Sequence, residues 1–132
     1  MLYAFLCYNN EDAIFSLSKA EDDAVMSALG RAQKPLHEAG RLGPTARLMP
    51  TTAATTVRKA SKGRRLEAGT EPPTVIDGPY AETKEQLLGF FIVDCADLEE
   101  ALSITHELSA ANPGGAYEIR PVSLFLPGAG IT

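Results

Sequence analysis

LLGFFIVD, residues 87–94, carries apolar side chains on both alternations of an extended chain: Leu88, Phe90 and Ile92 on one, Leu87, Phe91 and Val93 on the other. Such a run is a strand buried on both faces, and Gly89 within it marks a bulge or a close backbone approach. Downstream, Asp97 and Glu100 form a capping box, opening a helix whose inward face is expected to be Leu98, Ala101, Leu102, Thr105 and Leu108. NPGG at 112–115 stops that helix, and AYEIRPV at 116–122 reads as the last strand. Upstream, TKEQ at 83–86 fits a capped helical turn, and DGP at 77–79 is a chain-reversal device in which Gly78 relaxes the backbone and Pro79 fixes φ.

The first eight residues, MLYAFLCY, repeat the doubly apolar pattern. Ser18 and Glu21 then open a helix with Val25, Leu29, Ala32 and Leu36 at helical spacing, and Gly40 is its natural end. Pro35 predicts a kink or break near residues 31–35. A strand including Arg47 to Met49 follows, and TTVRKA and PTVI read as two more, joined by the basic run RKASKGRR. The order β-α-β-(ββ)-β-α-β is an α+β, ferredoxin-like split arrangement with a mostly antiparallel sheet and both helices on one face. Two helices cover only one face, while Leu2, Ala4, Leu6, Leu88, Phe90 and Ile92 make the other apolar as well. A second copy, sheet against sheet, is the simplest cover, so a homodimer through the sheet face is expected.

A chain of 132 residues, 45% hydrophobic, is expected to be one domain over residues 1–125 with a tail at 126–132. The net charge of -5 gives little for nucleic-acid phosphates to bind. No apolar run reaches membrane-spanning length, and no basic leader precedes the first strand. Cys7 and Cys95 alone do not make a disulfide framework, which suits a reducing, cytoplasmic setting. They lie near the ends of strands read as parallel central neighbours, so proximity is open. His37 and His106 have no companions at metal-ligand spacing, and neither metal nor cofactor is expected.

DGPYAETKEQLLGFFIVDCADLEEAL at 77–102, with YEIRPV at 117–122, resembles the DGPF-domain proteins of the YCII-related family, and the likeness extends over residues 1–125. HEAGRLGP at 37–44 is similar to the helix end of shorter YCII-like members. The resemblance implies a ferredoxin-like fold of the dimeric α+β barrel group. That group includes isomerases, monooxygenases and a dehydrochlorinase, and some DGPF-type domains occur beside or fused to sigma factors. Tyr80 stands where the family name has phenylalanine. The histidine that shorter members carry early in the first helix, suggested to act with an aspartate, falls near Leu29 here.

Asp77 and Tyr80 are the first candidates, a carboxylate and a phenol at a strand end where a cleft would allow cofactor-independent acid-base work. Asp77 also suits an Asx-turn. His37 is a weaker candidate base, since the helix dipole favours a solvated histidine at that end. Arg47, Lys84 and Arg120 are candidate receptors for a small anionic or aromatic ligand, Lys84 at the start of the expected helical turn. Three classes stay open: a small-molecule-binding or enzyme-like homodimer with its cleft near DGPY, a noncatalytic regulatory or interaction module linked to sigma factors, and a structural dimer without ligand. A partly enclosed cavity holding Asp77 and an arginine would favour the first.

Overall fold

The computed structural model describes residues 1–59, 73–112 and 114–131. It is an α+β protein, with strands and helices in the order β1 (Leu2–Asn9), α1 (Glu11–Phe15), α2 (Lys19–Glu38), β2 (Leu42–Arg47), β3 (Thr55–Arg58), β4 (Thr74–Asp77), β5 (Gln86–Asp94), α3 (Leu98–Ala111) and β6 (Ala116–Pro121). The main sheet runs β2-β5-β1-β6, antiparallel throughout. The split β-α-β arrangement expected from the pattern is therefore present. The two doubly apolar strands, β1 and β5, are its central pair, with Phe5 opposite Phe91 and Tyr3 opposite Val93.

Those four side chains are buried on the helix side with Leu36 of α2 and Ala101 and Leu108 of α3. The two phenylalanine rings stack with centroids 5.0 Å apart, and Tyr117 meets Phe91 edge-on. The opposite alternation, Ala4 and Leu6 with Phe90 and Ile92, is half-buried and has no helix against it.

Each long helix starts as its sequence dictates. The Ser18 hydroxyl accepts from the Glu21 amide while the Glu21 carboxylate accepts from the Ser18 amide, a complete capping box. Asp97 accepts from the Glu100 amide, but Glu100 returns its bond one residue earlier, to the Ala96 amide, and also meets the Arg41 guanidinium. The end of α2 is a full Schellman motif: the Gly40 amide donates to the His37 carbonyl and the Arg41 amide to that of Leu36, with Gly40 at φ 69°.

Several expectations need correction. Pro35 does not break α2, which runs on to Glu38: its missing amide forfeits one bond, to the Arg31 carbonyl, while the Pro35 carbonyl still accepts from the Ala39 amide. The short helix α1 went unread, although Asn10 caps it by accepting from the Ala13 amide. β2 spans Leu42–Arg47 and so leaves out Leu48 and Met49, which the expected strand included. It is an edge strand, and Pro44 lies in the irregularity between Leu42 and Thr45, where no ladder amide is required. The strands TTVR and TVID do form, yet they pair only with each other as a two-stranded ribbon outside the main sheet. Most of the basic run between them, residues 60–65, lies outside the described residues.

TKEQ is not a helical turn. The Thr83 hydroxyl donates to the Glu85 carbonyl, the Gln86 amide side chain donates to the carbonyls of Ala81 and Thr83, and β5 begins at Gln86. On α3 the inward residues are Ala101, Ile104, Thr105 and Leu108, while Leu98 and Leu102 are exposed. The cysteines are not neighbours either. β1 and β5 are antiparallel, so Cys7 faces Gly89 while the Cys95 amide bonds the Met1 carbonyl, about 20 Å away at six strand residues.

Candidate functional site

Between α2 and the helix side of the sheet lies a partly enclosed cavity of about 160 Å³. Its apolar wall comes from Ile14 and Leu17, beside the α1–α2 junction, and from Val25, Met26 and Leu29 along one face of α2. Phe91 forms the floor, so the cavity and the core share a ring. Leu29 contributes hydrocarbon to the cavity.

Polar groups enter from four elements. Asp22 of α2 accepts two hydrogen bonds from the Arg47 guanidinium of β2, at 3.0 and 3.3 Å. This pairing holds the Asp22 carboxyl below its ordinary value. Tyr117 of β6 and Cys7 of β1 come from neighbouring strands, opposite each other in register. Burial, reinforced by the nearby Cys7, pushes the Tyr117 phenol up to about 12, with the Asn112 side chain partly opposing. Burial alone pushes the Cys7 thiol up to about 12. Near neutral pH the cavity therefore presents a carboxylate already tied to a guanidinium, an un-ionised phenol and an un-ionised thiol. That set can seat and orient a molecule; it holds no carboxyl or thiol tuned to exchange a proton at that pH.

The turn that shapes the rim is tight. Gly115, at φ 70°, follows α3 so closely under β1 that a Cβ there would stand 2.2 Å from the Tyr8 carbonyl oxygen. This fixes Tyr117 two residues later against the sheet.

Of the candidate catalytic and ligand-binding residues read from the sequence, only Arg47 lines the cavity. Asp77 ends β4 on the ribbon, exposed, with the following turn held by the Gly78 amide on the Ala54 carbonyl and the Thr56 hydroxyl on the Gly78 carbonyl, both 2.8 Å. Among the described residues the Asp77 carboxylate takes part in no side-chain hydrogen bond of an Asx-turn. Tyr80 is 77% exposed beneath the Arg58 guanidinium, 5.3 Å from its ring centre. Lys84 borders a shallow, open groove with Tyr8 and Glu118. Arg120 pairs with Glu118, which also accepts from the Tyr8 hydroxyl. His37 is exposed in the last turn of α2.

Asp22, Cys7 and Tyr117 were not read as one site. The signal available was helical spacing: 22, 25, 26, 29 and 33 lie on one stripe of α2, but Asp22 also suits the acidic first turn of any helix. Among the described residues no three His, Cys, Asp or Glu side chains converge as for a metal, and no helix is long and apolar enough to cross a membrane.

Asp22→Asn is expected to lower stability more at neutral pH than at about pH 3. A carboxyl depressed in the folded state contributes above its unfolded value near 3.8 and loses that contribution as pH falls through the folded one. Urea midpoints at the two pH values check this; an equal loss at both would make the role of Asp22 one of packing.

Comparison with known proteins places the chain in a family. The profile of the family described as YCII-related domain matches residues 1–126. An uncharacterised protein of Rhizobium meliloti (strain 1021) is 54% identical over 129 residues, covering 97% of each chain. The chain belongs to the YCII-related family.

Proposed function

We propose that this chain is a small-molecule-binding protein that works as a homodimer, its ligand seated between α2 and the sheet. The cavity carries the proposal: it is partly enclosed, apolar-walled, and supplied with a few convergent polar groups, the usual form of a ligand site. It contains an arginine but not Asp77, so the proposed site is the cavity rather than the DGPY turn. For the homodimer, the support is the uncovered apolar face of β1 and β5, together with Val57, Val75 and Ile76 exposed on a ribbon that would be marginal alone.

A second reading, an interaction module, is favoured by the DGPY turn itself. Tyr80 stacked under Arg58 on an outlying ribbon offers an aromatic and a cation to a partner. Asp77, Lys84 and Arg120 belong to this outer surface in either reading.

Ligand-observed NMR with a fragment panel separates the two. Wild type and Asp77→Asn are expected to share a set of binders that Leu29→Trp and Met26→Trp, which put an indole into the cavity, both lose at unchanged melting temperature. A panel with no such set would remove the cavity as the site.

A further inference from the structure

Resting on that reading, we infer that the cavity selects an uncharged molecule about the size of one six-membered ring, bearing a single hydrogen-bonding group. Size comes from the volume. A cavity of about 160 Å³ matches the roughly 150 Å³ apolar cavity known to admit benzene. The lining agrees with the size, because Phe91 supplies an aromatic ring and Met26 and Leu29 supply flexible hydrocarbon.

The charge preference comes from what the polar groups are already doing. Arg47 is the one cation lining the cavity among the described residues, and both of its bonds into the site go to Asp22. An anionic ligand at that guanidinium would have the Asp22 carboxylate as a like-charged neighbour, and a cationic ligand at the carboxylate would have Arg47. In either case the ligand's charge would enter a mostly hydrocarbon lining in which the single cation and the carboxylate already neutralise each other. An uncharged ligand leaves the pair intact.

The hydrogen-bonding group is set by Tyr117, Asn112 and Gln33, which line the cavity with a hydroxyl and two amides. All three both donate and accept. A hydroxyl on the ligand pairs with any of them, whereas a purely hydrocarbon ring leaves them to water. This chemistry is a phenol or a cyclic alcohol rather than a ring acid or a ring amine.

Isothermal titration of the full chain near neutral pH with phenol, benzoate and benzylamine tests the charge and keeps the ring constant. Phenol is expected to bind at least tenfold more tightly than either charged ring, and Leu29→Trp is expected to abolish its binding. Benzoate or benzylamine binding as tightly as phenol, and lost in Leu29→Trp, would overturn the charge preference while the cavity stood as a ligand site. No heat from any of the three would overturn the site together with the preference. Tyr117→Phe is expected to weaken phenol relative to toluene; equal effects on both would remove the hydrogen-bonding part.

Discussion

Phe5→Ala is expected to cost about 3–5 kcal/mol of folding stability, the range for truncating a buried aromatic side chain. Phe5 is fully buried on the central strand β1, flanked by Phe91 of β5 and Ile119 of β6, and its ring stacks on that of Phe91. The two terms that set the cost are both at their maximum here. The apolar area lost has no residual exposure, and a four-stranded sheet gripped on both sides by ladder bonds cannot collapse into the void. Against a total of about 5–15 kcal/mol for a domain, one substitution would consume a large part of the stability.

Urea unfolding at fixed protein concentration is the measurement, with a fall in midpoint at unchanged slope as the expected form. Tyr80→Ala, at a largely exposed ring, serves as the control and is expected to change stability by about 0.5 kcal/mol or less. A loss below about 1 kcal/mol for Phe5→Ala would mean that the sheet does not present β1 this way. Because Phe91 is also the floor of the cavity, the same variant is expected to weaken any ligand seated there.

The central pair of strands was legible because burial on both faces leaves a mark that no amphipathic element shares. Residues 1–8 and 87–94 could hardly be anything else. Capping residues at Ser18 and Asp97 fixed the starts of α2 and α3 for a local reason, the unpaired amides of a first turn. The ribbon failed for a nonlocal one. TTVR and TVID have strand propensity, but propensity says nothing of whether a strand joins the main sheet, and nothing in four residues marks them as outside it. The TKEQ error has the same root: Thr83 and Gln86 can bond locally in more than one conformation, and entry into β5 chose the extended one. Even the outer residues of α3 follow, since Leu98 and Leu102 satisfy a helical stripe as well as Ala101 and Leu108 do, and only the position of the sheet distinguishes them.

The site was less legible than the fold because its polar groups come from four separated segments, around Cys7, Asp22, Arg47 and Tyr117. No spacing links residues that meet only through sheet order. DGPY drew attention as the most specific string, yet specificity of sequence is also what a ribbon making contacts between chains would show. Leu29 lies on the cavity wall, but a leucine at helical spacing reads equally well as core.

Ile92→Lys is expected to convert the proposed dimer to monomer, weakening association at least a hundredfold, which corresponds to about 2.7 kcal/mol. Ile92 sits opposite Ala4 at the centre of the sheet, on the face away from Val93 and the helices. In a two-fold interface a central residue meets its own copy or a near neighbour, so one substitution introduces two like charges into the driest part. The wild type is expected to sediment at twice the 14.1 kDa chain mass at micromolar concentration, and the variant at the chain mass. Far-UV circular dichroism and a cooperative melt keep loss of association distinct from loss of folding. Leu98→Lys supplies the control for added charge, because Leu98 is exposed on α3 and on the other side of the sheet. A wild type that sediments as monomer at every concentration would overturn the homodimer, and an Ile92→Lys variant that stays dimeric would place the partner surface elsewhere. In the second case Val57, Val75 and Ile76 on the ribbon become the surface to charge next, since they are another apolar group that a lone chain leaves in water.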